Sequence, residues 1–254
     1  MKKYKLTNET IVHFGFTLYR IEALMDFSDV KTGDKGGFVQ SENNLSQLGN
    51  AWVYGNAWVY GNAKVYGNAC VYGNAKVYGN AKVYGNAKVY GNADVYDNAE
   101  VYDNAEVYGD AEVYGDAEVY CDADVYDNAE VYDNAFVCGY AEVHGNAFVC
   151  GYAEVHGNAF VCDYVKVRGD AEVYGKAEVR GDAKVYKNSD YIVFKNWWSS
   201  GRYFTWTRSN NMWKVGCFYG NGEELIKKAY ADSEESGREY ERVVKYVESI
   251  LADE

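Results

Sequence analysis

From Gly49 to Tyr186 the chain repeats one six-residue pattern, Gly-Asn-Ala-Xaa-Val-Tyr, 23 times in succession without an insertion. Ala and Val stand two apart in each unit, so in an extended segment both point to one side, and the variable residue and the Tyr point to the other. Gly-Asn then breaks the strand, because both residues tolerate a positive φ. Each hexad is therefore predicted to be one short strand and one corner, with Ala and Val inside. Only small side chains fall inside, so the interior must be narrow. Apolar spacing of two and four, with Gly at every sixth residue, does not match a 3.6-residue helix. A period of six also excludes a pentapeptide solenoid.

Three hexads per turn give a triangular prism with coils of 18 residues, joined as parallel strands at a spacing of ~4.8 Å. Eight such coils make a rod ~38 Å long. Each inward Val contributes roughly 1.5–3 kcal/mol on burial, and the ladder between coils satisfies the peptide groups. Asn43 to Leu48 reads as a degenerate hexad ahead of the first regular one.

Units such as VYGNAK resemble the hexapeptide-repeat family, with an aliphatic residue at the first position and a small residue at the fifth. That resemblance implies an all-β solenoid of the left-handed parallel β-helix type, an exception to the usual right-handed crossover. Handedness is implied by the resemblance alone. The segments LYRIEALMDF (18–27) and GDKGGFV (33–39), with Ser41-Glu42 and Asn44-Leu-Ser46, resemble the entry cap of bacterial and phage or prophage proteins of this type. Many of those are labelled transferases on their repeats.

A solenoid exposes a raw strand edge at each end unless something covers it. Residues 1–48 are expected to form a β cap, with a hairpin from the apolar stretches Thr10–Phe16 and Leu18–Met25. Residues 188–254 are expected to form a small α+β module after the 49–187 β-helix. Its strands are placed between Tyr191 and Tyr219, with a turn near Ser209 to Asn211, and its helices at Glu223–Ala231 and Arg238–Leu251. In the second helix Tyr240, Val243, Val244, Val247 and Leu251 share one face. Thr205 to Arg208, Val215 to Phe218, Gly220 and Leu225 resemble a module that follows such repeats in phage-encoded proteins. Capping is one role for it, and ligand or partner binding is the other.

Composition fits stacked short strands: Tyr is 27, Gly 26 and Pro zero. The net charge of −13 is concentrated. Residues 1–88 hold ten Lys/Arg against six Asp/Glu, and residues 166–254 hold fifteen of each. Between Lys88 and Lys166 there are seventeen acidic residues and no basic one. Such a field repels nucleic acid and anionic membrane and attracts cations or basic protein surfaces. The six cysteines include no CxxC, and the first residues lack an apolar signal core, so a reduced, cytoplasmic protein is expected.

Outward residues 18 apart should stack in columns. Each column shows Lys near its start and then stacked carboxylates, and the candidate binding surface comprises Asp94, Glu100, Glu106, Glu112, Glu118, Asp124 and Glu130. Three readings of it stay open: a solvated face that resists sticking, a dock for a basic protein surface, and a cation site helped by corner residues Asp97, Asp103, Asp127 and Asp133. Sixteen hexads end in Tyr, which suits ladder packing first and recognition second. From Asn134 a duplicated block places Phe136, Phe148 and Phe160 outward, one per face, as a candidate apolar docking belt. It also sets Cys138 against His156 and His144 against Cys162, too few ligands for structural zinc.

The hexapeptide family includes acyltransferases, which resemble one another in forming trimers with a catalytic His and acyl-carrier contacts on projecting loops. No loop interrupts the 23 hexads, and no phosphate-binding, triad or metal motif is present. The expected function is therefore a non-enzymatic binding or scaffold protein, phage- or prophage-encoded, with no cofactor. It would present its acidic surface to a host protein or sequester a small ligand, as interference with host defence. Homo-oligomerisation is expected, and direct nucleic-acid or membrane binding is not. The alternative is an acyltransferase acting at a trimer interface.

Overall fold

The computed structural model describes residues 2–252, so residue 1 of the expected cap and residues 253–254 of the expected end module lie outside the described residues. The repeat region contains 23 two-residue strands, β4 to β26, running from Trp52–Val53 to Lys184–Val185 at six-residue intervals. Each pairs in parallel with the strand three hexads away, up to β24, β25 and β26 at the end of the three faces. Trp52, Cys70, Lys88 and Glu106 are in register on one face, Trp58, Lys76, Asp94 and Glu112 on a second, and Lys64, Lys82, Glu100 and Glu118 on the third. The prism of about eight 18-residue coils follows directly.

Inside, the Ala and Val side chains form one continuous core in which none exceeds 1% exposure. Val165 stands at an Ala position and is equally sealed. At the corners the first hexad residue has positive φ. At Gly79 an added Cβ would sit 2.8 Å from the Asp97 backbone nitrogen of the next coil. Successive coils turn too closely there for most side chains. Where Asp97, Asp103, Asp127, Asp133 and Asp163 replace Gly they keep the left-handed conformation, which short polar side chains tolerate best.

The two ends are closed by opposite chemistry. At the entry, β1 (Tyr4–His13), β2 (Phe16–Ala23) and β3 (Lys35–Val39) form an antiparallel unit, and β3 continues in parallel onto the first coil through Phe38–Trp58 and Val39–Val59. Leu45 bridges Val65, so the irregular stretch before Gly49 supplies a further rung. Each face receives a donor onto an exposed carbonyl: Lys3 Nζ to Ala51 O (2.7 Å), Phe38 N–H to Ala57 O (2.9 Å) and Asn44 Nδ2 to Ala63 O (2.9 Å). At the exit each face receives an acceptor for an amide. Asn188 Oδ1 takes Glu172 N–H (2.8 Å), Thr205 Oγ1 takes Glu178 N–H (2.9 Å) and Ser209 Oγ takes Lys184 N–H (2.6 Å). Unpaired strand edges are thereby removed at both ends.

The exit module is a four-stranded antiparallel meander, β27 (Tyr191–Lys195), β28 (Tyr203–Thr207), β29 (Met212–Val215) and β30 (Phe218–Gly220), followed by α1 (Gly222–Asp232) and α2 (Glu234–Ala252). Phe204, Trp206, Trp213, Leu225, Val243, Val244 and Val247 form its own core. An extra turn at Gly216 (φ +53) separates β30 from β29. Helix α2 begins four residues before the expected Arg238. Gly237 lies inside it, where α2 crosses α1 so closely that a Cβ would meet the Tyr230 ring. Among the described residues, no helix is long and apolar enough to cross a membrane.

Candidate functional site

The seven acidic residues singled out from the sequence lie at mid-strand positions, but on three separate faces. Glu106 and Asp124 share one face, Asp94, Glu112 and Glu130 a second, and Glu100 and Glu118 the third. Glu142 extends the first of these columns beyond Asp124. The sequence cluster is thus a band around the rod, and any flat partner meets one third of it.

Within each column the first carboxylate is neutralised by the Lys one coil earlier. Lys76 reaches Asp94 at 3.2 Å, Lys82 reaches Glu100 at 2.5 Å and Lys88 reaches Glu106 at 2.7 Å. Burial opposes ionisation of Glu100 and Glu106, but hydrogen bonds from these lysines and from Tyr84 and Tyr90 outweigh it and hold both pKa values below the usual range. Glu112, Glu118, Asp124 and Glu130 have no cation partner among the described residues. These four are the part of the band whose charge is uncompensated.

Their oxygens are nonetheless organised. Tyr rings stack from coil to coil with centroids 4.7–5.0 Å apart and planes within about 4° of parallel, as in Tyr60–Tyr78 and Tyr72–Tyr90. Where the next coil carries a Glu sixteen residues on, the Tyr sits diagonal to it and bonds it. Tyr96 Oη donates to Glu112 (2.7 Å), Tyr102 Oη to Glu118 (2.6 Å) and Tyr114 Oη to Glu130 (2.9 Å). The band's stacked glutamates, expected to repel, are thus each held by a phenol. The phenols stay protonated: burial first, then the hydrogen bond to Glu, pushes the Tyr102 and Tyr114 hydroxyls well above the usual value.

Asp124 is the exception. Its side chain is one carbon shorter, and Tyr108 makes no bond to it among the described residues. Burial, then the charges of Glu106 and Glu142 on either side, raise its pKa to about 6. Asp94 is also raised, by burial first, with Lys76 opposing.

A second device was missed by sequence reasoning. Corner asparagines donate amide to amide up the rod, Asn50 to Asn68 to Asn86 to Asn104, at 2.9–3.1 Å, and the last amide donates to Asp122 (3.0 Å). The other two corners end likewise on Asp116 and Asp110. A carboxylate only accepts, so it closes a chain of donors. The signal was present as Asn giving way to Asp at one position in three successive hexads. All three terminators fall in one coil, inside the acidic band.

Phe136, Phe148 and Phe160 occupy one face each and are half-buried. Lys166 Nζ lies 5.6 Å from the Phe148 centroid and the Arg180 guanidinium 5.5 Å from that of Phe160. The most exposed rings of this block are Tyr140, Tyr152 and Tyr164, about two-thirds exposed at every second corner. His144 stacks on Tyr126 (4.6 Å) and meets Phe160 edge-on. Burial lowers its pKa, while Asp127 opposes at 3.6 Å. Cys162 is sealed, and burial raises its thiol to about 12, so the pair supplies no thiolate at neutral pH. Among the described residues, no group of three or more His, Cys, Asp or Glu is arranged to hold a metal ion. No protein-family model matches the chain, and no curated protein matches it.

Proposed function

We propose that this β-solenoid is a non-enzymatic binding scaffold whose acidic, tyrosine-clad band docks a basic surface of a partner protein. One observation carries the reading: Glu112, Glu118, Asp124 and Glu130 have no cation partner among the described residues, in a stretch with no Lys or Arg, and three of them are held in place by tyrosine hydroxyls. Fixed carboxylates lose little conformational freedom when a Lys or Arg meets them, and rigid Tyr rings add amphipathic contact area. In the bacterial and phage setting that the repeats resemble, such a rod would occupy a basic surface of a host protein and so interfere with host defence.

The test is a pulldown from bacterial lysate at low and high salt, repeated with face-specific variants. Glu112→Gln with Glu130→Gln neutralises one face, and Glu118→Gln another. Capture of a basic protein that is lost near ~0.5 M salt, where the Debye length falls to about 4 Å, and on neutralising one face supports the proposal. Capture indifferent to salt and to every face overturns it. The opposing reading, acyl transfer at a trimer interface, would show as acyl-CoA turnover lost in His144→Ala or His156→Ala.

A further inference from the structure

The exit module contains a cleft of about 410 Å³ between the loop after β27, the β29–β30 turn and the α1–α2 junction, within the range of small-molecule sites. Its loop is fixed in advance. Asn196, 2% exposed, donates its backbone N–H to Arg202 O (2.8 Å), accepts from Ser199 N–H through its side-chain oxygen (2.9 Å) and points its amide at Tyr240 Oη (3.4 Å). Phe218, Leu225 and Ala229 give an apolar wall. Arg202 and Lys228 stand on the lining with no ion-pair partner among the described residues, against a single lining carboxylate, Asp232. Gly216 leaves space for the guanidinium, since a Cβ there would lie 3.2 Å from Arg202 Nη1. Ser199 and Ser236 add hydroxyls to the same lining.

We infer that this cleft binds a small organic oxyanion, a phosphate ester or carboxylate attached to an apolar group. Residues 166–254 hold fifteen basic and fifteen acidic residues, yet two cations without an ion-pair partner among the described residues line this one cavity against a single carboxylate. Arg and Lys supply the charge-assisted donors, the serines the neutral ones, and the Phe218–Leu225 wall takes the apolar group. The site is independent of the acidic band, which lies in the solenoid.

The experiment is calorimetric titration of the full chain with phenyl phosphate and with benzoate, beside inorganic phosphate and phenol. Binding of phenyl phosphate or benzoate, weakened at least tenfold by Arg202→Gln or Lys228→Gln and unchanged by Lys64→Gln, is the expected result. The tighter of the two probes identifies the oxyanion. Both glutamine variants change exposed side chains, and circular dichroism confirms that they fold. Absence of binding at millimolar probe, binding that survives both substitutions, or equal affinity for inorganic phosphate or phenol overturns the inference.

Discussion

Replacing Tyr102 by Phe deletes one hydroxyl from a column of rings whose 4.9 Å stacking it leaves intact. Glu118 then loses its 2.6 Å donor. The expected loss is about 1 kcal/mol, the net worth of a partly exposed hydrogen bond, read from urea unfolding. Asp124 behaves in the opposite sense. Its folded pKa of about 6 lies above that of a free Asp, so the folded state binds protons more tightly. Stability therefore rises as pH falls from above 6 towards about 4, and is forfeited again above that window. Asp124→Asn should stabilise the protein at pH 8 by about 1 kcal/mol, discounted for solvent screening. The same change should do little at pH 4.5. Thermal melts of both proteins at the two pH values check this.

At the scale of the element, each strand is only two residues long, so its stability comes from neighbours above and below. Ala99→Leu forces a larger side chain into an interior with 0% exposure on every side. It should cost at least about 1–3 kcal/mol by overpacking, seen as a lower denaturation midpoint. The caps obey the same logic in polar form. Thr205→Val keeps the shape but strands the Glu178 amide, whose acceptor sits at 2.9 Å. About 1–3 kcal/mol is expected from the orphaned donor, with faster hydrogen exchange at the end of that face as the specific signature. Gly237 makes the reverse point for helices: a residue of poor helix propensity persists inside α2 because Tyr230 occupies the space of its Cβ.

For the whole molecule, the hexads are interchangeable and the caps are local, which makes length a modular quantity. Deleting residues 91–96, one full hexad, should preserve cooperative unfolding and β-type circular dichroism while turning the exit module by a third of a coil relative to the entry cap. Deleting residues 91–93 alone breaks the phase between Ala, Val and the corner Gly, and should abolish cooperative folding. The caps occupy edge carbonyls at the entry and edge amides at the exit, which removes the groups through which rods would pair end to end. Lys3, one of the entry donors, is held to a pKa of about 8 by burial, below the 10.5 of a free lysine, so the unfolded chain binds the proton more tightly and the entry cap should gain stability as pH rises from about 8 towards 10.5.

The solenoid, its 18-residue coils and its three columns of outward residues were legible in the chain, because a strict period of two within six leaves one way to bury Ala and Val. The acidic stretch was legible too, since charge is a property of composition. Its partition was decided in three dimensions: Lys76, Lys82 and Lys88 silence the first carboxylate of each face, and a phenol two residues short of a full coil holds each following Glu. The order of Lys before carboxylate at a spacing of 18 was legible, but which oxygens each lysine and phenol holds depends on side-chain reach between coils. The cleft of the exit module was equally hidden. Asn196 and Arg202 are far in sequence from Lys228 and Tyr240, and only the packing of the meander against two helices brings their side chains around one space.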